Sequence, residues 1–149
     1  AFSTSSSSAT LPAALAAARD RLGIAPSTAG FVMPLGTTMN MSGTALYEGC
    51  VVLFVAQVFG VHLGLAEQVT LVFLSVLSAV AVAAIPGGSL PLIAGLLVAF
   101  GIPPEGIGII LGVDRLLDMT RTMTNVGSDL VTTAVVDRGQ RASGHAGHV

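Results

Sequence analysis

Charge is what this chain has least of. Only 9% of its 149 residues are Asp, Glu, Lys or Arg, against ~25% in a soluble domain, which excludes an ordinary water-soluble fold. Lysine and tryptophan are absent, and a net charge of −2 gives no sign of a nucleic-acid partner. The lone Cys50 excludes an internal disulfide. The start, AFSTSSSSATLP, has neither a basic n-region nor a leading methionine. No signal peptide is therefore expected, and the chain reads as beginning inside a larger protein. What is plentiful is apolar: 52% hydrophobic residues and a mean hydropathy of +0.85 place the chain in a membrane.

One stretch breaks that pattern. Leu111–Asp129 lies between apolar flanks, so the whole run reads as one long hydrophobic helix. Inside it Asp114, Asp118, Arg121, Thr122, Asn125 and Asp129 stand at offsets 0, +4, +7, +8, +11 and +15. At about 100° per residue they share a stripe roughly 100° wide, leaving Leu116, Leu117, Met123 and Val126 outside it. An ionised group facing lipid costs ~3 kcal/mol or more, so the stripe must face protein or water. A purely structural alternative is that Asp118 and Arg121, three apart, neutralise each other. Three carboxylates against one guanidinium leave charge over unless Arg115, at the stripe's edge, joins. The excess asks for a cation, a proton or a charged ligand.

Along the chain, residues 1–12 are small and hydroxylated, open to reading as a serine-rich linker. Pro12 opens an Ala-rich run with Thr10 as N-cap, predicting a helix over Pro12–Leu22 that ends at Gly23. The apolar region that follows is too long for one straight span and is punctuated by Gly36–Thr44. A half-helix before this break and a longer half from Ala45 to Gly60 are expected. Unwound backbone at membrane depth survives where protein or a bound cation satisfies its carbonyls. Glu48 is read as a polar contact within the bundle. Beyond Glu67, the arms Val69–Ala84 and Leu92–Phe100 flank Ile85–Pro91, and each is short for a ~30 Å core.

Arg19, Arg21, Arg138 and Arg141 bracket the apolar block, while the middle loops carry Glu67 and Glu105. By the positive-inside rule both ends are cytoplasmic, so the segment between the crossings must enter and leave on one side, as a re-entrant hairpin. A weak repeat, Ser8–Pro12 and Gly87–Pro91, puts small residues, a hydroxyl and Leu-Pro before two Ala/Leu-rich helices. Paired interruptions of this kind point to a site at the bilayer midplane. Residues 138–149 are expected to be a disordered tail, and His145 and His148 there do not form a metal site.

These motifs resemble the glutamate transporter family, the dicarboxylate/amino acid:cation symporters. SSSSATLP (Ser5–Pro12) resembles the tip of its first re-entrant hairpin. NMSGT (Asn40–Thr44) resembles the NMDGT break of its seventh transmembrane helix, and IPGGS (Ile85–Ser89) the tip of hairpin 2. VDRLLDMTRTMTNVGSD (Val113–Asp129) resembles helix 8. The resemblance implies an all-α membrane protein with broken transmembrane helices and re-entrant helical hairpins. It divides the chain into half of hairpin 1 (1–22), helix 7 (29–60), hairpin 2 (67–101), helix 8 (107–137) and the tail, a core fragment without the preceding six helices.

Carried over, Asp118 would hold a substrate ammonium and Arg121 a side-chain carboxylate, its planar fork suiting bidentate binding. Thr122 and Asn125 would complete the contacts. The amides and hydroxyls of Ser7 and Ser8, with Pro86, Gly87 and Gly88 of the other tip, would receive the α-carboxylate. Thr44 would face the substrate and border a third cation site. Asp129 and Asn40, with Gly36 and Asn125, would form a sodium site of hard oxygen ligands, and Thr38 and Met41 would belong to a second. Two departures bear on ion coupling. Ser42 replaces the family's aspartate, and Ala79 and Val82 stand where hydroxyls are common, which implies fewer sodium ions or a proton.

The resemblance thus implies a plasma-membrane symporter core, not an enzyme, without organic cofactor and with Na+ or H+ as coupling ion. Its partners would be an acidic amino acid, membrane lipid and, in the intact parent, two further copies in a homotrimer. A C4-dicarboxylate carrier and a non-transporting packing module remain the alternatives.

Overall fold

The computed structural model describes residues 1–82 and 86–146, and every regular element among them is helical. Residues 83–85 of the expected hairpin and 147–149 of the expected tail, with His148, lie outside them. The order is α1 (Ser7–Asp20), α2 (Pro26–Met39), α3 (Ser42–Val58), α4 (Leu65–Ala81), α5 (Leu90–Ala99), a single 3₁₀ turn (Pro104–Gly106) and α6 (Ile107–Ala146).

Several boundaries differ from the sequence reading. α1 starts at Ser7, because Ser6 rather than Thr10 is the cap: its hydroxyl accepts the Ala9 N–H at 3.2 Å. Thr10 instead bonds back to the Ser6 carbonyl at 2.8 Å, and Pro12 sits inside the helix. The break between α2 and α3 shrinks to Asn40 and Met41. α4 starts early, at Leu65, because the Glu67 carboxylate accepts the Gly64 N–H at 2.6 Å.

α6 does not stop at 137. It runs on through 146, so the expected tail is helical over most of its length. The cause is an i,i+4 ion pair, Asp137–Arg141 at 2.8 Å, joined by two bonds to the α1–α2 region that hold the last turns in place.

At 1.5 Å per residue the 10-residue α5 spans about 15 Å, half a ~30 Å bilayer core. The α2–α3 run Pro26–Val58 is, among the described residues, the one stretch long and apolar enough to cross by composition. α6 is longer but carries the polar seam.

α6 is also the spine. On one flank Ala14 of α1 and Met33 of α2 pack with Val126, and Ala18, Ile24 and Ala29 pack near Leu130 and Ala134. On the other, Val52 and Val55 of α3, Leu71 of α4 and Ile93 and Leu97 of α5 form a larger core that closes on Ile110. Outward faces are apolar: Phe31, Leu46, Leu65, Phe73, Leu77, Leu116 and Val131 are each at least 60% exposed. Such a surface has no place in water. The chain is an all-α membrane protein.

Candidate functional site

The seam of α6 is buried. Asp118, Arg121, Thr122, Asn125 and Asp129 are all at most 6% exposed, while Leu116 and Met123 on the opposite face are more than half exposed. The buried set continues through Thr133 and Asp137, two positions beyond the stripe read from sequence. Val126, expected outside it, is buried too, because α1 and α2 cover that flank. Asp114 is half-buried, and Arg115 is exposed and does not join the seam.

Arg121 is held from three directions. One terminal nitrogen donates to Asp118 and the other to Ser89, and its guanidinium lies 5.6 Å from the centre of the Tyr47 ring. Its Nε is buried without a partner. The other oxygen of Asp118 accepts the Gly87 N–H at 3.1 Å. Gly87 makes this possible with φ +71, a left-handed conformation that favours glycine. The hairpin tip between α4 and α5 is thus tied directly to both charges of the seam. Asp118 and Arg121 do pair, as the structural alternative held, yet the pair sits against a turn rather than in a packed core.

One turn along α6, Asn125 organises the break between α2 and α3. Its carbonyl oxygen accepts the N–H of Gly43 at 2.8 Å and of Thr44 at 3.3 Å. Its amide donates to the Thr44 hydroxyl at 3.0 Å and faces the Met41 sulfur at 3.4 Å. These are the groups a helix start leaves unsatisfied, so α6 caps α3 from outside. A further turn on, Asp129 is 1% exposed and accepts from the Asn40 amide at 3.0 Å. Gly36 lies so close that an added Cβ would stand 2.6 Å from the Asp129 carboxylate. No Arg or Lys ion-pairs with Asp129 among the described residues.

Not every expected residue joins. Ser7 is buried, but Ser8 is exposed on the first turn of α1. Thr38 is exposed and its hydroxyl turns back to the Leu35 carbonyl at 2.9 Å, whereas its neighbour Thr37 is buried. Pro86 is exposed and Gly88 half-buried at the tip. Met41 and Asn40 line a cleft of about 200 Å³ shared with Ala79 and Val80 of α4. Ser42, also on that cleft, is largely exposed and brings no carboxylate to the break.

Three participants had no role in the sequence reading, and a fourth had only a minor one. Ser89 belongs to a recognised motif but had no role. Tyr47 donates to Asp114 at 2.6 Å and backs Arg121, a link made across 67 residues that no local pattern marks. Gly43 admits the close approach of α6. Glu48, read as a polar contact within the bundle, is 0% exposed, makes no ion pair among the described residues and stands beside Ser78 of α4.

Interrupted helices around a buried seam of opposite charges define a membrane protein with polar side chains gathered inside an apolar bundle. Residues 1–139 match the sodium:dicarboxylate symporter family, and the chain belongs to it. It is 37% identical over 138 residues to the proton/sodium-glutamate symport protein of Bacillus subtilis, covering 93% of this chain and 32% of that protein. It is 39% identical to an excitatory amino acid transporter of Caenorhabditis elegans, over 91% of this chain and 27% of the relative. Against excitatory amino acid transporter 4 of the mouse the identity is 41%, over 92% and 24%. The chain spans about a quarter to a third of the length of these relatives.

Proposed function

We propose that this chain is the solute-binding core of a symporter that moves an acidic amino acid with Na+ or H+. The observation that carries the reading is the Asp118–Arg121 pair, buried together and bonded to the hairpin tip through Gly87 and Ser89. Separating a buried pair costs several kcal/mol per uncompensated ion. A zwitterion with a further carboxylate avoids that cost: its ammonium takes over Asp118, its acid takes over Arg121, and each buried charge keeps a partner. The open Nε of Arg121 is the donor a second carboxylate oxygen would use. Thr122 and Asn125 extend the polar wall, and the tip amides receive the α-carboxylate, with Ser7 the nearer of the two α1 serines to a buried position.

Asp129, Asn40, the backbone at Gly36 and Asn125 fit a hard cation. A fully buried carboxylate without a cationic partner, in a cradle that a single Cβ would fill, supplies both charge and space. Its donors are carboxylate and amide oxygens, and no cluster of three or more His, Cys, Asp or Glu placed to hold a metal ion is found among the described residues. That donor set suits sodium better than a transition metal. Met41 and the cleft against α4 are the counterpart for a second ion. The four outer arginines lie at the cytoplasmic end in this reading, and the apolar outer faces meet lipid or the trimer scaffold.

Binding to the protein expressed from its complete reading frame tests the substrate. Sodium-dependent affinity for glutamate or aspartate is expected to exceed that for succinate. Asp118→Asn removes the charge that holds the ammonium, so amino-acid affinity is expected to fall by roughly 30-fold or more while succinate is affected less. Equal loss for both substrates would contradict the ammonium role.

Glu48 favours the proton as one coupling ion. A carboxyl with no exposed surface and no ion pair among the described residues is a costly place for a permanent charge. Glu48→Gln is expected to flatten the pH dependence of uptake while leaving sodium dependence in place. An unchanged pH profile would remove Glu48 from the coupling path.

A further inference from the structure

At the far end of α6 a second polar cluster joins three helix ends. Asp137 is 5% exposed, and one of its oxygens accepts the Ala25 N–H at 3.0 Å. The other pairs with Arg141 at 2.8 Å, and Arg141 donates on to the Gly23 carbonyl at 2.6 Å. Thr28 and Gln140 add a bond of 2.9 Å beside them.

Ala25 is the N-cap of α2 and has no side chain able to cap, and Pro26 behind it has no N–H. Asp137, on another helix, accepts the N–H of the cap residue itself, and its charge faces the positive end of the α2 dipole. Between its ends α2 meets α6 mainly through Ala29 and Met33, apolar contacts with no directional preference along the axis. Axial register is therefore set by polar ties at the two ends. At one end they are Ala25–Asp137 and Thr28–Gln140, at the other Asn40–Asp129. Gly36 is eleven residues from Ala25, about 16 Å along a helix, and Asp129 is eight residues from Asp137, about 12 Å. A slip at one end is carried along a rigid α2 to the other.

We infer that Asp137 is a positioning residue for the cation site: by holding the start of α2 it sets where Gly36 and Asn40 stand against Asp129. The inference rests on the cation-coupled reading above, and the experiment separates the two. In the protein expressed from its complete reading frame and purified in detergent, the sodium concentration giving half-maximal glutamate binding is measured. Two variants remove the tie from opposite sides. Asp137→Ala deletes the acceptor. Ala25→Pro deletes the donor and sets a ring carbon against the Asp137 carboxylate, at a position whose φ of −56° proline accepts.

Each is expected to raise the half-saturating sodium about fivefold, the worth of one net hydrogen bond. Glutamate affinity at saturating sodium is expected to stay within about twofold. Asp137→Asn, which keeps an oxygen for Ala25, is expected to restore most of the sodium affinity. A merely structural role would lower the melting temperature and leave half-saturation unchanged in both variants, which overturns the inference while the symporter reading stands. If the unsubstituted protein binds glutamate without sodium, the sodium-coupled form of the reading fails and takes this inference with it, while proton coupling is left standing. Should Asp137→Ala not fold, Ala25→Pro and Asp137→Asn decide the matter alone.

Discussion

Arg121→Ala is expected to abolish uptake of acidic amino acids. Three losses coincide. The substrate's side-chain carboxylate loses its only buried cationic partner among the described residues of the seam. Asp118, 2% exposed, loses the charge that compensates it, and Ser89 at the hairpin tip loses its donor. Truncating one member of a buried, hydrogen-bonded charge pair costs about 2–5 kcal/mol, roughly 30- to several-thousand-fold in affinity. Arg121→Lys keeps a charge but not the planar fork that reaches Asp118 and Ser89 together, so it is expected to recover only part of the loss. Uptake of labelled glutamate into proteoliposomes, normalised to inserted protein, is the measurement. Uptake at the unsubstituted level in Arg121→Ala would end the proposed role.

Gly43→Ala is expected to destabilise the fold rather than alter one contact. An added Cβ would lie 2.6 Å from the Arg121 carbonyl, 2.9 Å from Thr124 Cβ and 3.0 Å from the Asn125 amide oxygen. The first of these is backbone of the spine, so no rotamer change relieves it. Either α3 moves away from α6, losing the Gly43 and Thr44 bonds to Asn125, or the seam shifts at Arg121. Overpacking of this kind costs typically 1–3 kcal/mol, and the lost bonds add to it. Gly127→Ala, on α6, is the control, since nothing lies within 4 Å of an added Cβ there. Thermal unfolding in detergent should show a clear drop for Gly43→Ala and little change for Gly127→Ala. Equal behaviour would mean that the close approach of α3 and α6 does not bear load.

The two substitutions probe different ends of one arrangement. The seam of α6 is useful only because the α4–α5 tip meets it at Asp118 and Arg121 while the α2–α3 break meets it at Asn125 and Asp129. In the proposed reading, solute and cation positions are then adjacent turns of a single helix. In the proposed symporter that adjacency gives coupling a short physical route: a cation that orders Asn40 and Asn125 also orders the neighbours of Arg121.

Much of this was readable along the chain. Membrane residence follows from composition, and the seam follows from helical period, because both are properties of neighbouring residues. The interruptions at Asn40–Thr44 and at the Pro-Gly-Gly turn are legible for the same reason: glycine, proline and small polar side chains break helices locally. Helix ends were less so. Whether Ser6 or Thr10 caps α1 depends on which hydroxyl reaches a free N–H, and the helical course of 138–146 depends on partners in the α1–α2 loop. Only the folded chain could assign Thr37 rather than Thr38 to the interior, put Tyr47 behind Arg121, or show Asp137 holding the cap residue of a helix, 112 positions earlier. Those facts are set by contacts between distant segments, and a one-dimensional pattern records the residues that make such contacts without recording which of them meet.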